Sequence, residues 1–427
     1  MNESVLIVGC GVFGLSSAVE MAKRGYKVIA TDAYPVPSPW SAAADYNKII
    51  RTEYDNILYT ELALEALEMW RNDPGLSQCY HECGRLTITP QNHQGRIQFD
   101  ERSLENLKKL GKADHLKSYT NRELFYEDFP LFQASSLNRE TKVTFNPESG
   151  LGYAAKSLSV IKNRAEKLGV QFLFGPEGEA VRVIEENNRT FVVTRSGLKM
   201  TADKILISSG AATPQIINLN NQASATGLFV GHIQLSESEY EKYKHIPIVF
   251  SAEEGYYFPP DPETRIIKIA ATAEETVNVV TDQFGNKLSL PRYKTHFPLD
   301  TIPKITAKAI KNFLKKTLPE IAYHDILDPK ICWISDTTNS NFLIDKAPRY
   351  KNVYVATGDS GHAYKFLPNI GRLISDCLED KLDLSYAKLW EWNKTPKIKT
   401  LNWRVKKMQL DLAKNEGGYI TENRFKL

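Results

Sequence analysis

A chain of 427 residues, 42% apolar and 25% charged, is too long for one simple core and ordinary in composition for a globular protein, so two packed domains are expected. Its formal net charge of +3 is too small to argue for nucleic acid as a partner. No apolar run reaches the ~20 residues that cross a bilayer, and the few residues before Ser4 offer no signal peptide.

Five cysteines, Cys10, Cys79, Cys83, Cys332 and Cys377, are odd in number and mostly scattered, which suits a reducing, cytoplasmic setting. Cys79 and Cys83 have no second Cys/His pair nearby, so no metal site is expected. The chain closes on Phe425-Lys426-Leu427, near the Ser-Lys-Leu peroxisomal address but with Phe425 where a small residue belongs. The peroxisome is therefore the alternative location.

Ser4 to Val8 is a short apolar run of the kind that forms a buried parallel strand. It runs into Gly9-Cys10-Gly11-Val12-Phe13-Gly14, then a helical stretch from Leu15 to Gly25, then a second strand from Tyr26 to Thr31 that ends at Asp32. Gly9 permits the tight turn, Gly11 the approach of a pyrophosphate, and Gly14 close packing of helix on strand. The helix N-terminus supplies free N–H groups and a positive dipole for phosphate. Asp32 is placed to accept the ribose hydroxyls. With all these parts in order, the segment predicts a dinucleotide site.

Residues 86 to 145 are charged and helical in pattern, and 150 to 225 hold a helix, a strand and two further strands leading to Lys204–Ser208. That strand follows Ala202-Asp203 and ends in Ser209-Gly210-Ala211, similar to the glycine turn that two-domain flavoproteins bring beside their cofactor. It favours FAD over a nicotinamide. From Gly227 to about 300, strand signals without intervening helices read as an antiparallel sheet. A helix at 306–317 is expected to return the chain to the flavin domain. A strand at Asn352–Thr357 leads into Gly358-Asp359-Ser360-Gly361-His362, again a turn where N–H groups converge on a polar ligand. The tail from Lys388 to Lys414 interleaves Trp390, Trp392 and Trp403 with lysines and reads as a helix packing its aromatics inward.

Several motifs in order resemble the monomeric sarcosine oxidase family, and within it the eukaryotic saccharopine, pipecolate and fructosyl amino acid oxidases. They are the N-terminal fingerprint, Ser41 to Arg51, Gly231 to Leu235, Ile267-Lys268-Ile269, Cys332-Trp333 with Asp336-Thr337, and Gly358 to Gly371. The resemblance implies a mixed α/β (overall α+β) fold, a Rossmann-like FAD domain with a second domain on an antiparallel sheet. The corresponding segments are 1–85, 150–225 and 305–427 for FAD, and 86–149 and 226–304 for substrate. It implies that Cys332 holds FAD through a thioether, that Lys268 assists oxygen, and that Arg51 and Lys365 clamp the substrate carboxylate. Ser41, Asp45, Asn47 and Lys48 fall on the loop beside the flavin, Lys48 where arginine is frequent; Gly361 and His362 fall near the ring. His362 suits a structural imidazole as well as a catalytic part.

The family's sugar-contacting acids are missing from their usual place: Ala270-Ala271-Thr272-Ala273 follow Ile269, and acids come later at Glu274 and Glu275. The expected activity is therefore oxidation of a secondary amine on a saccharopine- or pipecolate-type amino acid by a monomer, with molecular oxygen as acceptor and peroxide as product. A fructosyl amino acid is the runner-up substrate. A dehydrogenase using another acceptor is the rival class, which Lys268 argues against.

Overall fold

The computed structural model describes residues 3–90, 92–136, 142–272, 274–393, 408–412 and 418–420. Two sheets dominate. The first has six strands in the order Leu343–Lys346, Val353–Thr357, Lys204–Ile207, Ser4–Val8, Lys27–Thr31 and Gln171–Leu173. All neighbours run parallel except the Leu343–Lys346 edge. Along Ser4–Val8, Val5 and Ile7 enter one apolar core while Leu6 and Val8 enter another. Burial on both faces is why that strand is an unbroken apolar run.

The helix Val12–Lys23 crosses from the first strand to the second. Gly9 sits at φ +101, and a Cβ on Gly14 would stand 1.8 Å from the Gly9 carbonyl oxygen. Only glycines allow this turn and this close helix.

The second sheet runs Met408–Asp411, Glu274–Val277, Ala223–Gln234, Ile266–Ala271, Gly255–Tyr257, Ile248–Ser251, Arg85–Thr89, Lys142–Asn146 and Lys117–Tyr119. Leu327–Thr337 pairs along Ala223–Gln234, with Cys332 opposite Leu228. A small antiparallel sheet of Asn47–Ile50, Gly150–Tyr153 and Tyr80–His81 carries the loop that follows residue 40.

Four expectations are corrected by packing. The helix Lys304–Thr317 buries Ile310, Phe313 and Leu314 against Phe229, Ile267 and Ile269, so its apolar stripe covers the second sheet and does not return to the first. The Cys332 strand likewise belongs to the second sheet. The stretch 86–145 contains helices Gln94–Lys109 and Arg122–Asp128 but also gives that sheet strands, because RLTIT and KVTFN alternate polar and apolar residues at the period of a strand. In the tail, Trp390 is buried on the short helix Leu384–Trp390, yet Met408–Asp411 is a strand parallel to Glu274–Val277. Trp403 and the terminal Phe425-Lys426-Leu427 lie outside the described residues. Among the described residues no helix is long and apolar enough to cross a membrane, and no His/Cys/Asp/Glu group could hold a metal ion.

Candidate active site

A cavity of about 900 Å³ is lined by the glycine turn of the first sheet and by side chains of the second. Gly9, Gly11, Val12, Phe13 and Asp32 all line it. Gly11 caps the helix Val12–Lys23 without any side-chain hydrogen bond, so the first-turn N–H groups keep their capacity for a ligand. A Cβ on Gly11 would meet nothing nearer than Ser41 Oγ at 3.8 Å, which leaves the turn open for close approach. Asp32 receives the N–H of Cys10 at 2.8 Å and of Tyr34 at 3.2 Å; burial nevertheless raises its pKa, and hydroxyl donors on that wall would relieve the cost. These features fit the pyrophosphate and ribose of FAD.

Further along the wall come Ser41, Lys48, Cys332, Gly361 and His362. Cys332 Sγ stands 3.9 Å from Lys48 Nζ and 3.6 Å from the Ala42 carbonyl oxygen. Lys48 in turn bridges to Asp45 at 3.2 Å. Asp45 gathers two more lysines, Lys268 at 2.7 Å and Lys330 at 3.3 Å. Burial alone would push this carboxyl up, but three ammoniums hold it well below its ordinary value.

Gly14, Asp45, Asn47 and Lys268 do not line the cavity. Gly14 packs helix on turn; the other three stand behind Lys48 and Phe258. Lys268 is fully buried on Ile266–Ala271, donates to the Asn47 carbonyl at 2.6 Å, and lies 4.9 Å from the ring centre of Phe258. Burial pushes its pKa down to about 7 although Asp45 pulls the other way.

Arg51 and Lys365 meet at Tyr54. The guanidinium lies 4.3 Å and the ammonium 5.2 Å from the Tyr54 ring centre. Lys365 Nζ donates to the Tyr54 hydroxyl at 2.7 Å and to the His362 carbonyl at 2.6 Å. Burial, then Arg51 and Arg85, push Lys365 well below its ordinary pKa. His362 Nε2 is 2.9 Å from the Ser340 carbonyl, which can only accept, so Nε2 carries a proton. In the neutral ring Nδ1 then accepts from the Tyr54 hydroxyl at 3.1 Å. His362 is thus part of the scaffold that aims Tyr54 and Lys365. The ring also stacks on Phe342 at 4.8 Å, and behind it Tyr59 meets Phe342 edge-on and Trp390 at a tilt.

Sequence reasoning missed several neighbours. Tyr54 sits three residues beyond Arg51, and Glu53 between them bonds both Arg51, through its carbonyl, and Arg85, through its carboxylate. Arg85 and Arg96 also line the cavity, as does Asp359, whose pKa burial raises to about 6. The available signal was charge in the wrong place: Arg85 opens the strand RLTIT. Of the late acids, Glu275 reaches the cavity wall while Glu274 is buried in the sheet.

The FAD dependent oxidoreductase model matches residues 4–377. L-saccharopine oxidase of Schizosaccharomyces pombe is 41% identical over 98% of this chain and 100% of its own. Monomeric sarcosine oxidase of a Bacillus strain is 22% identical over 87% of this chain and 90% of its own. The crystal structure of fructosamine oxidase (Amadoriase II) from Aspergillus fumigatus superposes with a TM-score of 0.87 at 31% identity, covering 99% of this chain and 98% of that one. The glycine turn, the shared cavity and these matches over nearly the whole length lead to one conclusion: the chain belongs to the FAD dependent oxidoreductase family and is an oxidoreductase of the CH–NH type.

Proposed function

We propose that the chain oxidises the secondary-amine C–N bond of an N-substituted or cyclic amino acid, saccharopine first and pipecolate next, with oxygen as acceptor. The observation that carries this reading is the pairing of Arg51 and Lys365 on Tyr54 inside the cavity that the dinucleotide turn also lines. Supporting the choice of saccharopine is the identity to the Schizosaccharomyces pombe enzyme over the full length.

In this reading Arg51 takes the substrate carboxylate through its planar fork and Lys365 adds a point charge. A bound carboxylate also restores the ammonium form of Lys365, which burial and its neighbours disfavour. Tyr54 and His362 hold Lys365 in place. When bound, FAD accepts the two electrons lost by the C–N bond and passes them to oxygen. The turn from Gly9 to Gly14 and Asp32 would hold its phosphates and ribose; Ser41, Lys48 and Gly361 would flank it, and Cys332 would anchor it by a thioether. Lys268, kept in place by Asp45 and the Asn47 carbonyl, provides positive charge for oxygen as it gains an electron. The imine product hydrolyses in water and peroxide leaves.

The working unit in this reading is a monomer in the cytoplasm. Residues 1–85 and 150–225 form the flavin unit together with the strands after 340. Residues 86–149 and 226–304 form the substrate unit, joined by 305–337 because those residues pack on the second sheet.

A fructosyl amino acid remains the second reading, on the observation that Glu275 lines the cavity and offers an acid to a sugar. A peroxide-coupled screen of saccharopine, pipecolate, sarcosine and fructosyl-lysine tests both. Turnover of saccharopine or pipecolate supports the first, turnover of fructosyl-lysine alone supports the second, and turnover of none overturns the oxidase assignment.

A further inference from the structure

Four cations of the cavity wall sort into two pairs. Arg51 and Lys365 share the ring of Tyr54. Arg85 and Arg96 share the ring of Phe250, at 5.6 and 5.8 Å. Glu53 joins the pairs, its carbonyl accepting from Arg51 and its Oε1 standing 3.1 Å from Arg85 Nη2. Asp100 meets Arg96 Nη2 at 2.7 Å.

Arg85 is 4% and Arg96 8% exposed. Guanidiniums are seldom buried without compensation, because removing the ion from water costs several kcal/mol. Among the described residues the acids that pair with this set are Glu53 and Asp100, so with Lys365 as an ammonium two positive charges are in surplus. Two other acids of the wall have partners of their own: Asp55 pairs with Arg102 at 3.4 Å, and Glu275 receives Gln409 at 3.4 Å. Arg85 Nε has no hydrogen-bond partner among the described residues. Burial pushes Arg85, Arg96 and Lys365 down, and Arg51 pushes each further, which marks the same surplus.

One carboxylate at Arg51 and Lys365 would neutralise half of that surplus. We infer that Arg85 and Arg96 form a second anion pocket for a carboxylate remote from the oxidised amine, so that the preferred substrate is an amine bearing two or more carboxylates. The inference rests on the oxidase reading of Arg51 and Lys365. The rings of Phe99 and Phe250, 4.6 and 5.8 Å from the Arg96 guanidinium, offer an apolar wall to a methylene spacer between the two anions.

The test is calorimetric titration of the holoenzyme with linear dicarboxylates from malonate to pimelate and with the monocarboxylates of equal length. At least one dicarboxylate is expected to bind about ten- to a hundredfold tighter than its monocarboxylate. That ratio is expected to collapse in Arg96→Gln and in Arg85→Gln, and to recover partly in Arg85→Lys. A wild-type protein that binds no dicarboxylate better than its monocarboxylate overturns the inference, whatever the variants do, and so does a ratio unchanged in folded Arg96→Gln. A kinetic arm compares kcat/KM for saccharopine and pipecolate: the saccharopine-to-pipecolate ratio is expected to fall in Arg96→Gln, mainly through KM. If no amine is oxidised yet the dicarboxylate ratio depends on Arg96, the oxidase reading fails and the second pocket stands. If amines are oxidised without any dicarboxylate preference, the pocket fails and the oxidase reading stands.

Discussion

Cys332 Sγ lies 3.9 Å from Lys48 Nζ, across the gap between a strand of the second sheet and the loop strand that leads to Arg51. Both side chains line the cavity, so the thiol is within reach of whatever the glycine turn holds there. Acid denaturation of the purified protein is expected to leave the yellow flavin with the pellet, and Cys332→Ser to release it to the supernatant. Complete release from the wild type sinks the thioether.

Lys268→Met is expected to spare anaerobic reduction by substrate and to slow the reaction with oxygen roughly a hundred- to a thousandfold, the usual loss on removing a preorganised charge. The pH profile adds a sign. With its pKa pushed to about 7, Lys268 is an ammonium below that value and neutral above it. The wild-type oxygen rate should therefore fall as pH rises through about 7, and the Met variant should be flat there. Stopped-flow reoxidation at several pH values decides it; equal rates for both proteins remove Lys268 from this role.

Arg51→Met and Lys365→Met are each expected to raise the dissociation constant of a monocarboxylate inhibitor about ten- to a hundredfold, since a charge-assisted hydrogen bond is worth roughly 1.5–3 kcal/mol. The substrate methyl ester should mimic either loss in the wild type and add little to the double variant. Spectral titration of oxidised flavin measures both. Equal binding of ester and acid by the wild type refutes the clamp.

Glu53 gives a stability prediction. Burial would raise its pKa, but Arg85 and Arg51 hold it down at about 2, against roughly 4.3 in an unfolded chain. A depressed carboxyl contributes stability that is complete above the unfolded value and is lost as pH falls through the folded one, here roughly 3 kcal/mol. The wild-type thermal midpoint should drop steeply on acidification below about pH 4. Glu53→Gln should be less stable near neutrality and lose less on acidification. Parallel slopes in calorimetry for the two proteins would exclude this coupling.

What the sequence revealed followed from local rules. The turn from Gly9 to Gly14 announces itself because only glycines satisfy its backbone, and the Ser4–Val8 run because both its faces are buried. Motif order points to Arg51, Lys365 and Cys332, and all three line one cavity. Arg85 and Arg96 were not found, since their meaning depends on Phe250 lying between them, more than a hundred residues away. The helix Lys304–Thr317 covers the second sheet and not the first, and its sequence is silent on the choice for a similar reason: an amphipathic stripe says that a face is covered, not by what.

The aromatic cluster behind His362 has a practical consequence. Trp390 donates to the Tyr59 hydroxyl at 2.9 Å, and Tyr59 stacks on Tyr54 at 5.3 Å. The short helix Leu384–Trp390 therefore backs Tyr54 and, in the proposed reading, the carboxylate clamp built on it. Trimming the chain before Leu384, or splicing a fusion partner into that helix, would read out as weakened substrate affinity and would be mistaken for a defect at Arg51 or Lys365.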